Sequence, residues 1–375
     1  MNFRQRLSER LIAWDNAGLR RYPHTFSSAQ DPHVKDGFLF ASSNYLSLST
    51  HPKLVEAAHR ALDRYGCGSG GSRLTTGTLD LHRELEAEIA EWLGYEDCVL
   101  FSSGFIANLA VLSTFGDSSV TISSDERNHA SLIDGCRLAR ADVKVYPHRQ
   151  LGKLPPQPSL IVTDGVFSMD GTVADVDHLS TVRENHDAML VVDDAHGIGT
   201  LFDGRGCCAP LIDSGRAPDI LIGTASKALG SEGAFVACDH TQAEILRNQG
   251  RPYVFTTSNP APVIAATLAA VRILRSAEGQ ERITRLHRNV AHLRSGLDAP
   301  TGQAPIIPIH IGSEQRALSV ANYLSDHGFI APAIRYPTVT KGKAIIRATV
   351  MADHSAGDID DFISAVKDAL QKNPT

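Results

Sequence analysis

Near the start of the chain, Phe3, Leu7, Leu11, Ile12 and Leu19 recur on or near one helical face, which predicts a helix over 3–19. The run GFLFA at 37–41 reads as a short extended segment, and SSNYLSL at 42–48 as a turn. Helical spacing returns over 52–65, where Pro52 stands at a first-turn position that tolerates its missing N–H. It returns once more over 79–94 and ends on Gly94, a C-cap residue. From residue 97 the rhythm changes. Short apolar runs at 98–101, 120–122, 143–146, 159–163, 189–192 and 220–222 alternate with helical patterns at 104–115, 129–139, 175–186 and 240–249. That alternation predicts an α/β fold whose mostly parallel sheet is covered on both faces. Ligands in such sheets sit beyond the carboxyl ends of the strands.

Past the NPAP turn at 259–262, two long helical stretches cover 261–277 and 280–297. Apolar runs at 304–311, 329–335 and 345–350, with helices over 313–327 and 358–371, predict a smaller C-terminal α/β unit. The expected organisation is an N-terminal helix and arm over 1–45, a large domain over 46–260, connecting helices over 261–297 and a small domain over 298–375. A chain of 375 residues is long enough to bury both cores.

Composition narrows the partners. Lys and Arg number 36 against 42 Asp and Glu, a net charge of -6, and no long basic run offers a nucleic-acid surface. The six cysteines, Cys67, Cys98, Cys136, Cys207, Cys208 and Cys238, include no C-x-x-C pair. The N-terminus lacks the apolar core of a signal peptide, and no segment reaches the roughly 20 apolar residues needed to span a bilayer. These features predict a soluble cytoplasmic protein with no membrane partner.

Candidate chemistry starts at 224–230, TASKALG, where Lys227 stands among small residues just after the apolar run DILIG at 219–223. A lysine there is either a surface residue at a strand exit or a reactive amine. The strand LVVDDAHG at 190–197 favours the amine, because it runs straight into Asp193, Asp194 and His196. Carboxylates just past a buried strand need a cationic partner, a helix N-terminus or a metal. A lysine amine forms a Schiff base with an aldehyde, and pyridoxal phosphate is the cofactor that offers one. Its pyridinium must keep a proton, and Asp193 is the carboxylate placed to hold it. The small, glycine-bearing turn SSGFIAN at 102–108 leads into a helix whose N-terminus suits a phosphate, with Thr224 adding a hydroxyl. His129 opens the helix over 129–139, where its ring can lie flat on a cofactor ring. The run GCGSGG at 66–71 satisfies G-x-G-x-x-G but follows a helix, so it reads as a substrate-lining loop and not as a dinucleotide site. Arg347, in KAIIRAT at 343–349, suits bidentate binding of an amino acid's carboxylate. No metal is expected.

Together SKALG at 226–230, VDDAHG at 192–197, TDGVFSMDG at 163–171 and RNHASL at 127–132 resemble the α-oxoamine synthases, across essentially the whole chain and in the right order. That resemblance implies fold-type I of the pyridoxal-phosphate-dependent transferases, the aspartate-aminotransferase-like architecture. It implies condensation of an amino acid with an acyl thioester and loss of carbon dioxide. AIRYPTV at 333–339 and the C-terminal layout most resemble the biotin-pathway branch, which joins L-alanine to a pimeloyl thioester of coenzyme A or a carrier protein. Other branches, glycine C-acetyltransferase and long-chain acyl members, are the alternatives, and YPTVTKG at 336–342 is slightly similar to the acetyltransferases.

Carried over position by position, the resemblance makes Lys227 the Schiff-base lysine and general base. It sets Asp193 on the pyridine nitrogen, His196 on the ring hydroxyl, His129 against the ring and Ser168 at its polar edge. Backbone amides near Gly104 and Phe105, with the Thr224 hydroxyl, would hold the phosphate. Family members are homodimers with shared active sites, which implies that Thr256 and Thr257 reach the phosphate of the opposite subunit. Arg20 or Arg21 resembles a basic cluster near the acyl substrate. SSNYLS at 42–47 departs from the usual SNDYLG, with Ser43 for asparagine, Asn44 for aspartate and Ser47 for glycine. SEGAF at 231–235 carries one glycine fewer than the family pattern. The 42–47 loop lies near substrates in the family, so Ser43 and Asn44 bear on which amino acid and acyl chain are used.

Overall fold

The structure, a computed structural model, describes residues 2–374. Its centre is a seven-stranded sheet in the order Asp97–Phe101, Ala234–Cys238, Ile220–Thr224, Met189–Asp193, Leu160–Asp164, Thr121–Asp125, Asp142–Tyr146. The strands from Ile220–Thr224 to Asp142–Tyr146 pair in parallel, whereas Ala234–Cys238 runs antiparallel to both its neighbours. Alternate residues of each strand enter opposite cores, as the two-residue strand period requires. Leu190, Val192 and Leu221 face one, while Val191, Ile220 and Ile222 face the other with helices Gly104–Phe115 and Ala130–Ala139. Burial on both faces explains the apolar runs of the central strands Met189–Asp193 and Ile220–Thr224, whereas the edge strand Asp142–Tyr146 is largely exposed and carries Lys144.

The helices Pro52–Tyr65 and Gly104–Phe115 have the bounds that the sequence pattern predicts. Three expectations need correction. The first helix stops at Asn16, because Gly18 turns left-handed at φ 64 and Leu19 leaves the helix. Ala234–Cys238 is a fully buried strand that the pattern did not single out. The 329–335 run is two strands, Phe329–Ile330 and Ala333–Ile334, parted by Ala331 and Pro332 and serving separate sheets.

In the C-terminal unit, Ala344–Thr349 pairs antiparallel with both Ile306–Gly312 and Ala333–Ile334. The N-terminal arm is built into this unit. Gly37–Leu39 lies parallel to Phe329–Ile330, and Thr349 N–H donates to Phe40 O at 2.9 Å. Phe40 stacks between Phe362 (centroids 4.0 Å apart) and His354 (4.3 Å). Residues just after the arm therefore sit between the two units, and Ala352 N–H donates to Tyr45 O at 2.7 Å. Among the described residues no helix is long and apolar enough to cross a membrane.

Candidate active site

Three neighbouring parallel strands deliver Asp164, Asp193 and Thr224 at their carboxyl ends. Asp164 and Asp193 are register partners, so two buried carboxyls lie side by side. Such a pair is costly unless hydrogen bonds and a cation compensate it. Asp193 has both: Ala195 N–H donates to Oδ1 (3.0 Å), Asn108 Nδ2 donates to Oδ2 (2.6 Å), and Lys227 stands close enough to feel its charge. Asp164 accepts His129 N–H at 2.6 Å. Burial nevertheless lifts the Asp164 carboxyl far above the usual range, with Asp193 adding to the rise.

Lys227 sits in the turn after Ile220–Thr224, half-buried. Burial depresses its ammonium pKa to about 8, although Asp193 and Asp164 pull the other way. The amine is therefore largely charged at pH 7 with an accessible neutral fraction, the state a nucleophilic or basic lysine needs.

Two histidines complete the cluster. His129 is the N-cap of Ala130–Ala139 and accepts Ser131 N–H at Nδ1 (3.3 Å). The Ser131 hydroxyl lies 2.7 Å from the same nitrogen and accepts a hydrogen bond from Asn108 Nδ2 (2.7 Å). A continuous chain thus runs from Asp193 through Asn108 and Ser131 to His129. The edge of Phe105 approaches the His129 ring (centroids 6.4 Å, 81°). Burial and then Lys227 hold His129 below its ordinary pKa, against Asp193. His196 is held well below it, by burial first and then by Lys227, Arg347 and His129. Its Nδ1 lies 2.8 Å from the Tyr45 hydroxyl.

At the start of Gly104–Phe115, the Ser103 hydroxyl caps Ile106 N–H (3.3 Å), and the N–H groups of Gly104 and Phe105 have no acceptor among the described residues. A Cβ on Gly104 would lie 3.8 Å from Thr224 Cβ, so the hydroxyl of Thr224 shares this end of the helix. That hydroxyl donates to Gly233 O and lies 2.8 Å from Ser226 Oγ. Arg347 enters from the C-terminal unit. Its Nε donates to Ser168 O at 2.6 Å, and its charge reaches Lys227 and His196. Among the described residues no hydrogen-bond partner takes its Nη atoms.

The remaining expected residues make no hydrogen bond to Lys227, Asp193, His129 or His196 among the described residues, and Thr256 and Thr257 are expected to act at the opposite subunit. Thr256 and Thr257 sit on a loop that bridges Ser72 at Thr257, with no hydrogen bond to the Lys227 cluster among the described residues. Arg20 pairs with Asp15 (2.6 Å) and lies over the Tyr22 ring, while Arg21 Nη2 donates to Thr338 Oγ1 (2.8 Å). Ser43 is half-buried beside Tyr45. Asn44 holds the turn itself: its Oδ1 accepts Leu48 and Ser49 N–H, and its Nδ2 donates to Gln30 O and Ser49 Oγ. Tyr45, Asn108, Ser131 and Asp164 belong to the cluster although sequence reasoning assigned none of them a role. Asn108 and Asp164 lie within runs already singled out, but their partners are remote in sequence.

Asp194 turns away from the cluster and accepts Cys207 N–H at 2.7 Å, with the Cys207 and Cys208 thiols nearby. Burial raises its carboxyl to about 7. A folded-state pKa above the unfolded value means the folded protein binds the extra proton. This contribution is therefore fully present below about pH 4 and is lost as pH rises through 7, a change of up to about 4 kcal/mol. Asp194→Asn keeps an acceptor for Cys207 and removes the titration. Thermal unfolding of both proteins at pH 4.5 and pH 8 should show wild type losing more stability over that interval than the variant, and parallel losses would refute this.

A family model for aminotransferase class I and II matches residues 35–366. The biotin biosynthesis bifunctional protein BioWF of Corynebacterium kroppenstedtii is 44% identical over 416 residues, covering 96% of this chain and 57% of that protein. The chain spans only 57–58% of the length of such bifunctional relatives. An 8-amino-7-oxononanoate synthase of Marinomonas sp. is 42% identical, with 94% of this chain and 91% of that protein covered. Among solved structures, a serine palmitoyltransferase from S. paucimobilis with bound PLP and myriocin matches 99% of both chains at TM-score 0.91 and 27% identity.

Proposed function

Because this chain belongs to the aminotransferase class I and II family, and within it to the 8-amino-7-oxononanoate synthase group, we propose that it condenses L-alanine with a pimeloyl thioester. The products are 8-amino-7-oxononanoate, carbon dioxide and the free thiol. The observation that carries this reading is the convergence of Lys227, Asp193, His129, His196 and Arg347 beyond the carboxyl ends of the central strands.

The residues present fit pyridoxal phosphate. A half-buried amine near neutrality, a carboxylate fixed by two hydrogen bonds and a helix start with free N–H groups match its aldehyde, ring nitrogen and phosphate. When bound, this cofactor supplies an electrophilic aldehyde and a ring that spreads negative charge away from the substrate carbon. Lys227 Nζ would hold it covalently, and the same amine, with its pKa near 8, would serve as the base for the substrate's Cα proton. Asp193 would keep a proton on the ring nitrogen, and the Asn108 and Ala195 donors hold its carboxylate in place. His129 and His196 stay neutral at physiological pH, so neither adds a third cation beside Lys227 and Arg347. Gly104 and Phe105 N–H groups would hold the phosphate end, and the Thr224 hydroxyl would join them by turning its hydrogen away from Gly233 O.

Arg347 receives the substrate carboxylate. Anchoring Nε on Ser168 O leaves the two Nη atoms for a bidentate pair, which a lysine cannot make. Arg347→Lys should raise the KM for alanine by about 10- to 100-fold, with a smaller change in KM for the thioester. Equal changes in both would remove Arg347 from the carboxylate.

The helix Phe3–Asn16 buries none of its residues and presents Phe3 (70% exposed), Leu7, Leu11, Ile12 and Trp14. A second copy of the chain is the partner that suits so much apolar surface, which supports the homodimer. A cytoplasmic setting fits six cysteines that are all free. Thiol release by the cofactor-loaded protein tests the function. Alanine with pimeloyl-CoA should be turned over, whereas turnover only of glycine with acetyl-CoA, or of serine with palmitoyl-CoA, would overturn the assignment.

A further inference from the structure

Tyr45 is completely buried, and its hydroxyl lies 2.8 Å from His196 Nδ1. Which atom donates follows from counting protons. The hydroxyl hydrogen has no other acceptor among the described residues, so a protonated Nδ1 would strand that hydrogen inside the protein. Donation from Tyr45 to Nδ1 satisfies both groups and leaves the histidine's hydrogen on Nε2. Nε2 makes no other hydrogen bond among the described residues, and Lys227, Arg347 and His129 are the charged or titratable groups around the ring.

Tyr45 is held from the other side as well. Its carbonyl accepts Ala352 N–H (2.7 Å), and Thr349 Oγ1 donates to Ser42 O (2.8 Å). Thr349 lies two residues beyond Arg347 on the Ala344–Thr349 strand. The 42–48 turn is therefore pinned to the strand that carries the carboxylate-binding arginine, while its one tyrosine reaches the histidine at the end of the central sheet.

We propose that Tyr45 is a positioning residue: its hydroxyl donates to His196 Nδ1, fixes the Nε2–H tautomer, and ties the orientation of that donor to the strand bearing Arg347. The function assigned to the donor, a hydrogen bond to the ring hydroxyl of pyridoxal phosphate, rests on the proposed function above. The tautomer itself does not. This arrangement gives the 42–47 departure a physical reading. Ser43, Asn44 and Ser47 change around a tyrosine whose place is held by main-chain bonds and by the Asn44 side chain.

Nitrogen-15 NMR of histidine side chains in the cofactor-free protein tests the proposal, with His196→Gln identifying the resonance among the 16 histidines. Wild-type His196 should be neutral with a bare Nδ1 and a hydrogen on Nε2. Tyr45→Phe, which keeps the ring, should mix the two tautomers and weaken equilibrium binding of pyridoxal phosphate by about three- to tenfold. A wild-type His196 protonated at Nδ1 overturns the proposal without any variant. So does a Tyr45→Phe protein with unchanged tautomer and cofactor affinity. Neither readout uses alanine or a thioester, so a silent thiol-release assay would count against the proposed reaction and leave the tautomer result standing.

Discussion

Lys227→Ala should lower product formation by about 10,000-fold, the most damaging single change in the chain, because it deletes the attachment point and the base together. Borohydride reduction of protein mixed with pyridoxal phosphate should leave the cofactor on wild type and none on the variant. The physical basis is the amine's surroundings. Burial disfavours the ammonium and brings its pKa to about 8, while Asp193 and Asp164 limit the fall. Only the neutral amine attacks an aldehyde. The rate of covalent attachment to wild type should therefore climb about tenfold per pH unit below 8 and level off above it. A climb continuing past pH 10 would mean that Lys227 is solvated like a surface lysine, and the reading of the site would fall with it.

Asp193→Asn should cost about 100- to 1,000-fold in kcat, since a neutral amide cannot hold a proton on a ring nitrogen. The loss is sharpened by geometry. Both carboxylate oxygens accept a hydrogen bond, from Asn108 and from Ala195, so an amide nitrogen at either place faces a donor. One bond must break whichever way the side chain turns. Removing this carboxylate also removes the largest influence favouring the Lys227 ammonium, so the attachment midpoint should drop below that of wild type. Measuring both quantities separates a charge effect from misfolding. A variant with normal kcat, or one whose midpoint does not fall, would detach Asp193 from the chemistry.

Local punctuation made much of the fold legible. Pro52 and the Ser103–Gly104 start mark two helices whose bounds match the sequence pattern, because a missing N–H and a capping hydroxyl act on their own turn. The central strands Leu160–Asp164, Met189–Asp193 and Ile220–Thr224 were readable as apolar runs for the opposite reason, since both their faces are covered. Ala234–Cys238 has the same character but follows the lysine turn without a helix between, so the strand–helix rhythm gave no cue. Ala331 and Pro332 show how a two-residue break divides an apolar run between two sheets. Within the site, Lys227, Asp193 and His196 were legible because each stands at a strand exit in a distinctive run. Tyr45 and Asn108 were not, because their partners lie 151 and 85 residues away and only the folded sheet brings them together.

The arm strand has a long wait during synthesis. Phe38 pairs with Phe329, so about 290 residues must follow it out of the ribosome, which takes roughly 15–60 s at ordinary elongation rates. The central sheet is complete in sequence by Cys238 and can assemble while that interval runs. Until the last eighth of the chain arrives, Gly37–Leu39 keeps one edge open on the nascent protein, available to chaperones or to the same strand of a neighbouring copy. Anything that stalls translation before residue 329 leaves that edge unpaired, so one of the earliest strands is among the last to gain its partner.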